Sequence, residues 1–259
     1  MKALVKMHLV MAAGAIVACS GPSAVATPSP SVSFTESPRP PSASPTPTAT
    51  SPSTARPSGV IHYVAIGASD TVGVGALDPV RGSWPARVAA RLPAGSTYTN
   101  LGVSGSLTAQ AATEQLPGAI GERPTIVSIW LAVNDMNAGV SPEDHAGALA
   151  RIVDGLASST DARIFVGNVP DLRAVPVYAD TDPELLAALV NAYNDGIARV
   201  ARGHGDRVVL VDLHTGSAEL MTDVTVAQDG FHPSDAGYIL IADRFAAAMR
   251  LSGLPLQPD

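Results

Sequence analysis

The chain has 259 residues, 46% of them hydrophobic and 4% aromatic, which suits one globular domain of ordinary size with a long segment to spare. Lys2 and Lys6 are its only lysines, so loss of the N-terminal segment leaves 14 arginines facing 23 acids, a surface that speaks against nucleic acid as a partner. One cysteine, Cys19, excludes an intramolecular disulfide.

Residues 1–18, MKALVKMHLVMAAGAIVA, set two lysines before an apolar run of signal-peptide length, too short to span a bilayer comfortably. Cys19 closes that run in "IVAC". These residues resemble the lipobox of bacterial lipoproteins, which implies lipidation of Cys19 on sulfur and outward-facing anchoring to the cell membrane. "AVA", Ala24 to Ala26, offers a competing cleavage site that releases a secreted protein. Residues 19–58 are then mostly Pro, Ser and Thr, a composition that cannot bury a core and reads as an extended, disordered tether.

From residue 59 to 259 the pattern changes to that of a folded domain. Apolar β-like runs at Ile61–Ile66, Thr97–Leu101, Thr125–Leu131, Arg163–Val169 and Arg207–Leu213 alternate with amphipathic stretches, which predicts an α/β fold with a parallel sheet covered by helices on both faces. Ser141-Pro142-Glu143 and Asp182-Pro183-Glu184 each supply a capping side chain, proline at the first helical position and an acid in the first turn. A last helix is predicted from about Ser234. In such sheets ligands bind beyond the carboxyl ends of the strands, so the loops after each strand are the ones that matter.

Those loops read Gly67-Ala68-Ser69-Asp70 after the first strand, "NLGVSG" (Asn100 to Gly105) after the second, and "LAVNDMN" (Leu131 to Asn137) after the third; "DGFHPSDAGY" (Asp229 to Tyr238) precedes the last helix. Each alone is a weak signal, since a serine beside glycine is commonly a turn and a lone histidine commonly structural. Together they bring a hydroxyl nucleophile, amide donors, and a carboxylate three residues before an imidazole to one side of one sheet.

With these four blocks in this order, the domain from about Val60 to Leu251 resembles the SGNH (GDSL-type) hydrolase superfamily. The resemblance implies a three-layer α/β/α sandwich with a flavodoxin-like sheet of about five strands in the order 2-1-3-4-5. It implies Ser69 as nucleophile, His232 as general base and Asp229 as its orienting carboxylate. The Ser69 and Gly102 N–H groups and the Asn134 amide are the implied oxyanion hole. Two positions depart from the family pattern: Ala68 stands where aspartate is usual, and Ala132 where glycine is usual.

Other chemistries fit less well. No G-x-G-x-x-G dinucleotide loop, Walker-type loop or G-x-S-x-G elbow occurs, and no His/Cys/Asp cluster has metal-ligand spacing, so neither cofactor nor metal is expected. His214, with Asp212 two residues before it, is the competitor of His232; His62, His145 and His204 have no carboxylate at useful spacing. Arg173 and Tyr178, in a loop after the fourth strand, are candidate substrate contacts, and Trp84 is a candidate for the acyl pocket or, in preference, the core.

The expectation is therefore a cofactor-independent exported esterase, monomeric, acting on a small ester or an acylated glycan. Carbohydrate O-deacetylation and a non-catalytic surface binding module are the alternatives. Small residues around Ser69 and the scarcity of aromatics predict a shallow, open site without a long apolar trough, favouring acetyl esters.

Overall fold

The computed structural model describes residues 59–258; the proposed signal, Cys19 and the tether lie outside them. The strands are β1 (His62–Gly67), β2 (Thr97–Asn100), β3 (Ile126–Trp130), β4 (Arg163–Gly167) and β5 (Val208–Val211). They form one sheet in the order β2-β1-β3-β4-β5, every pair parallel. The crossovers carry α1 (Ser69–Val72), α2 (Pro79–Gly82), α3 (Trp84–Ala89), α4 (Thr108–Glu114), α5 (Leu116–Gly121), α6 (Val133–Asn137), α7 (Pro142–Ser159) and α8 (Pro183–Arg202), and α9 (Asp235–Leu251) follows the last strand region. This is the expected three-layer sandwich and strand order.

Alternation along each strand sorts the two layers. Val64 and Ile66, Val127 and Ile129, and Ile164 and Val166 face one cluster with Leu149, Ile152 and Leu156 of α7 and Val190 and Ile197 of α8. Tyr63, Ala65 and Phe165 face the other, with Trp84 and Val88 of α3 and Tyr238, Phe245 and Met249 of α9. Because both faces of the sheet are covered, its central strands read as continuous apolar runs. Trp84 is fully buried and stacks on Phe245 with ring centroids 4.1 Å apart, so it is a core residue and not a pocket wall. Truncating such a side chain costs about 3–5 kcal/mol.

The capping signals act as read. Ser141 accepts from Asp144 N–H, Asp182 from Glu184 and Leu185 N–H, and Ser234 from Gly237 N–H. β4 and β5 end two residues earlier than the apolar runs suggest. Asn168 Oδ1 accepts from Leu213 N–H (2.6 Å) and its Nδ2 donates to Asp212 Oδ1 (3.2 Å), so side-chain bonds replace the ladder there. Among the described residues no helix is long and apolar enough to cross a membrane.

Candidate active site

β1 leaves the sheet at Gly67 and the chain turns at once into α1, whose first residue is Ser69. The loop expected at Gly67-Ala68-Ser69-Asp70 is thus replaced by a helical start. Gln115, at the end of α4, braces the turn: its Oε1 accepts from Gly67 N–H and its Nε2 donates to Gly67 O, both at 3.0 Å, while Nε2 also reaches Ser106 Oγ at 3.2 Å. Ser69 is only 8% exposed, so its hydroxyl has few places to go.

One of them is His232. Ser69 Oγ lies 3.0 Å from His232 Nε2, and His232 Nδ1 lies 2.6 Å from Asp229 Oδ2. A carboxylate can only accept, so Nδ1 carries the proton and bare Nε2 accepts from the serine hydroxyl. The other carboxylate oxygen, Oδ1, accepts from Phe231 and His232 N–H, each at 2.9 Å. Burial alone raises the Asp229 carboxyl, but these hydrogen bonds outweigh it and hold the group below its ordinary pKa. Asp229 therefore stays charged beside the ring. The D-x-x-H spacing suffices because one tight turn returns its own amides to the carboxylate.

His214 is engaged elsewhere. Its Nδ1 meets Val169 O at 3.1 Å, while Asp212 caps the following turn through His214 and Thr215 N–H. Those bonds and Asn168 hold Asp212 down at about 2 despite the opposing effect of burial. The pair that competes on paper does not meet as carboxylate and ring.

Asn134 lies in α6, which follows β3, the neighbour of β1 in the sheet, and its Nδ2 donates to Ser106 O at 3.1 Å, leaving one amide hydrogen over. Gly102 departs from its expected part. Its N–H donates to Asn100 Oδ1 at 2.9 Å, and an added Cβ would come within 2.9 Å of Thr71 Cγ2, so glycine is needed there for close packing on α1. Farther along the same loop Gly105 has φ +79°, precedes the Ser106 that Asn134 holds, and finds no acceptor for its N–H among the described residues. The sequence reading missed Gly105, although the repeated glycine in "NLGVSG" was a signal for it.

Residues 65–240 match the profile of the GDSL-like lipase/acylhydrolase family. The chain belongs to that family. No match is found among curated proteins. Solved structures similar to it include TesA (21% identity, TM-score 0.60, 74% of this chain and 99% of that one). LAE5, an α/β hydrolase from the metagenome of Lake Arreo, Spain, aligns with 23% identity and TM-score 0.59 over 75% of this chain and 96% of its own. A mutant of Axe2, an acetyl-xylooligosaccharide esterase from Geobacillus stearothermophilus, aligns with 20% identity and TM-score 0.61 over 78% and 98%. At these identities the likenesses speak to the fold.

In this GDSL-type domain the residue that follows the serine is Asp70. Asp70 is half-buried, and the hydrogen bond that acts on its carboxylate comes from its own backbone N–H. Burial pushes it up to about 6; His232 opposes that rise and Asp229 adds to it. Asp70 lines two adjoining spaces. One is a small pocket with Ala68, Ser106, Ala132 and Asn134. The other is a largely apolar cavity of about 100 Å³, walled by the segments after β3, β4 and β5, the His232 loop and α9. This cavity corrects the expectation of a shallow site with no apolar trough.

The remaining candidates serve the walls. Arg173 pairs with Asp171 at 2.5 Å, and Tyr178 donates to Asn137 Oδ1 at 2.8 Å, tying the loop after β4 to α6. Thr108 donates to Asp135 Oδ2 (2.9 Å) and accepts from the buried His145 Nδ1 (3.0 Å), a network that fixes the residue beside Asn134. Among the described residues no group of three or more His, Cys, Asp or Glu side chains gathers as a metal site.

Proposed function

We propose that the protein is an exported serine esterase that hydrolyses carboxylic esters through an acyl-enzyme, held to the membrane by a lipidated Cys19. The observation that carries the catalytic reading is the continuous relay from Ser69 Oγ through His232 to Asp229 at 3.0 and 2.6 Å. A serine hydroxyl is a weak nucleophile until a base takes its proton, and Nε2 is placed and in the right tautomer to do so. Ser69 attacks the ester carbonyl carbon as its proton moves to His232. The tetrahedral oxyanion is met by the Ser69 N–H, the free Asn134 amide hydrogen and, in place of Gly102, the Gly105 N–H. Collapse breaks the carbon–oxygen bond to the alcohol, which leaves with the proton from His232. Water, deprotonated by the same ring, then releases the acid and restores Ser69.

O-deacetylation of a carbohydrate is the second reading, supported by the structural neighbour Axe2, an acetyl-xylooligosaccharide esterase. One experiment addresses both. The full chain is labelled with a serine-reactive fluorophosphonate and assayed on simple alkyl esters beside acetylated xylan. Labelling with ester turnover supports the proposal, turnover of the glycan alone supports the second reading, and neither labelling nor turnover defeats both.

A further inference from the structure

We infer that the apolar cavity beside Asp70 is an acyl-chain pocket, and that the preferred substrates are esters of apolar acids longer than acetate. This rests on the esterase reading and names its substrate class. The small pocket at Asn134 and the large cavity share Asp70, Trp130, Val133 and Phe231, so the two adjoin along a common wall. A carbonyl oxygen seated at Asn134 places the substituent of its carbon at that wall. The leaving oxygen must instead face His232 Nε2, which directs the alcohol away from it. It is therefore the acyl side that enters.

The cavity suits a chain without polar groups. Leu213, Leu240 and Ile241 are among its walls. Apart from Asp70 at its edge, its polar side chains are engaged: Ser217 Oγ takes Asp171 N–H and donates to His214 O, Thr225 Oγ1 donates to Leu220 O, and Arg244 donates to the Asp212 and Thr215 carbonyls. An apolar chain inside strands none of them, whereas a sugar ring would find few partners. Asp70 stands at the junction, where it faces the small pocket as well as the cavity.

The test is the kcat/KM of the full chain on p-nitrophenyl acetate, butyrate and hexanoate, with hexyl acetate as the alcohol-side control. Burial of two further methylenes predicts a rise of about tenfold from butyrate to hexanoate. Leu240→Trp and Met221→Trp, which fill the cavity from α9 and from the opposite loop, should each bring the hexanoate-to-acetate ratio down to about one. That ratio is read within one protein, so partial misfolding does not alter it. A flat or falling series in the wild type, a ratio that survives both tryptophans, or a preference for hexyl acetate overturns the inference while leaving the esterase reading intact. If no ester is cleaved, calorimetric titration with octanamide decides: saturable binding weakened about tenfold or more by Leu240→Trp sustains the pocket without the activity, and no binding overturns it.

Discussion

Asn134 Nδ2 donates to Ser106 O at 3.1 Å, and this bond aims the amide. A planar amide with one hydrogen fixed has its other hydrogen fixed too, so the donor is oriented before substrate arrives. Preorganisation of this kind is what makes an oxyanion donor effective, because no reorientation is needed as charge develops.

Asn134→Ala should consequently fold as the wild type does and lose kcat by about a hundred- to a thousandfold, with a smaller change in KM, since the amide acts mainly on the transition state. Steady-state kinetics on an alkyl ester check this. A loss confined to KM would place Asn134 in ground-state binding instead.

The relay makes a sharper distinction between histidines. Ser69→Ala should abolish both turnover and fluorophosphonate labelling, and His232→Ala should come close to doing so. His214→Ala should cost far less, because its ring is bonded to Val169 O and not to a nucleophile. Asp229→Ala should leave a slow enzyme whose histidine has lost orientation rather than basicity. Turnover by a folded Ser69→Ala at the wild-type rate would end the nucleophile assignment.

How much of this was legible follows from distance along the chain. Asp229 and His232 share one turn, and Ser69 and Asn134 each follow an apolar strand, so their grouping could be read from local spacing and the strand order. The cavity could not. Val133, Leu172, Leu213, Met221, Phe231 and Leu240 come from separate segments, and nothing local in any of them signals that they enclose one space. Gly102 was misread for a related reason: the choice between Gly102 and Gly105 as donor depends on where Asn100 points its side chain. Gln115, distant in sequence from the Gly67 it braces, carried no motif at all.

Ala132 shows the cost of a departure from the family pattern. It caps α6 with φ +109° and ψ −43°, a conformation that suits glycine and strains a residue with a Cβ. Relief of that strain is worth about 1–3 kcal/mol, offset in part by the greater unfolded-state freedom of glycine. Ala132→Gly should therefore stabilise the domain by about 1 kcal/mol, a rise of about 2–4 °C in Tm for a domain of this size. Thermal melts of the two proteins compare them directly, and a lower Tm in the glycine variant contradicts the strain argument.

Anchoring is tested through Cys19. A singly acylated chain binds membranes only marginally, whereas the multiple acylation of a lipoprotein N-terminus gives stable attachment. Cys19→Ala should release the protein from the membrane fraction or block its processing, as read by fractionation and mass spectrometry of the N-terminus. A wild-type mature chain that begins at Thr27 and is found in the medium fits cleavage after Ala26 and defeats the anchor.

Asp70 gives the pH dependence a sign. Its carboxyl is raised from an ordinary 3.8 to about 6 in the folded protein, first by burial. Between those values the native state binds more protons at this group than the unfolded chain does, so its contribution to stability falls as pH rises from about 4 to about 6 and stays lost above. Asp70→Asn keeps the shape and removes the charge. The variant should be more stable than the wild type at pH 7.5 by about 1–2 kcal/mol, the full shift being discounted for the solvent that reaches a half-buried carboxylate. At pH 4 the advantage should largely vanish, because the wild-type group is then protonated in the folded state. Urea unfolding of both proteins at the two pH values isolates this effect, since every other titrating group is common to them. An advantage of equal size at both pH values would mean that the asparagine acts through new hydrogen bonds, and the buried-charge account of Asp70 would fall.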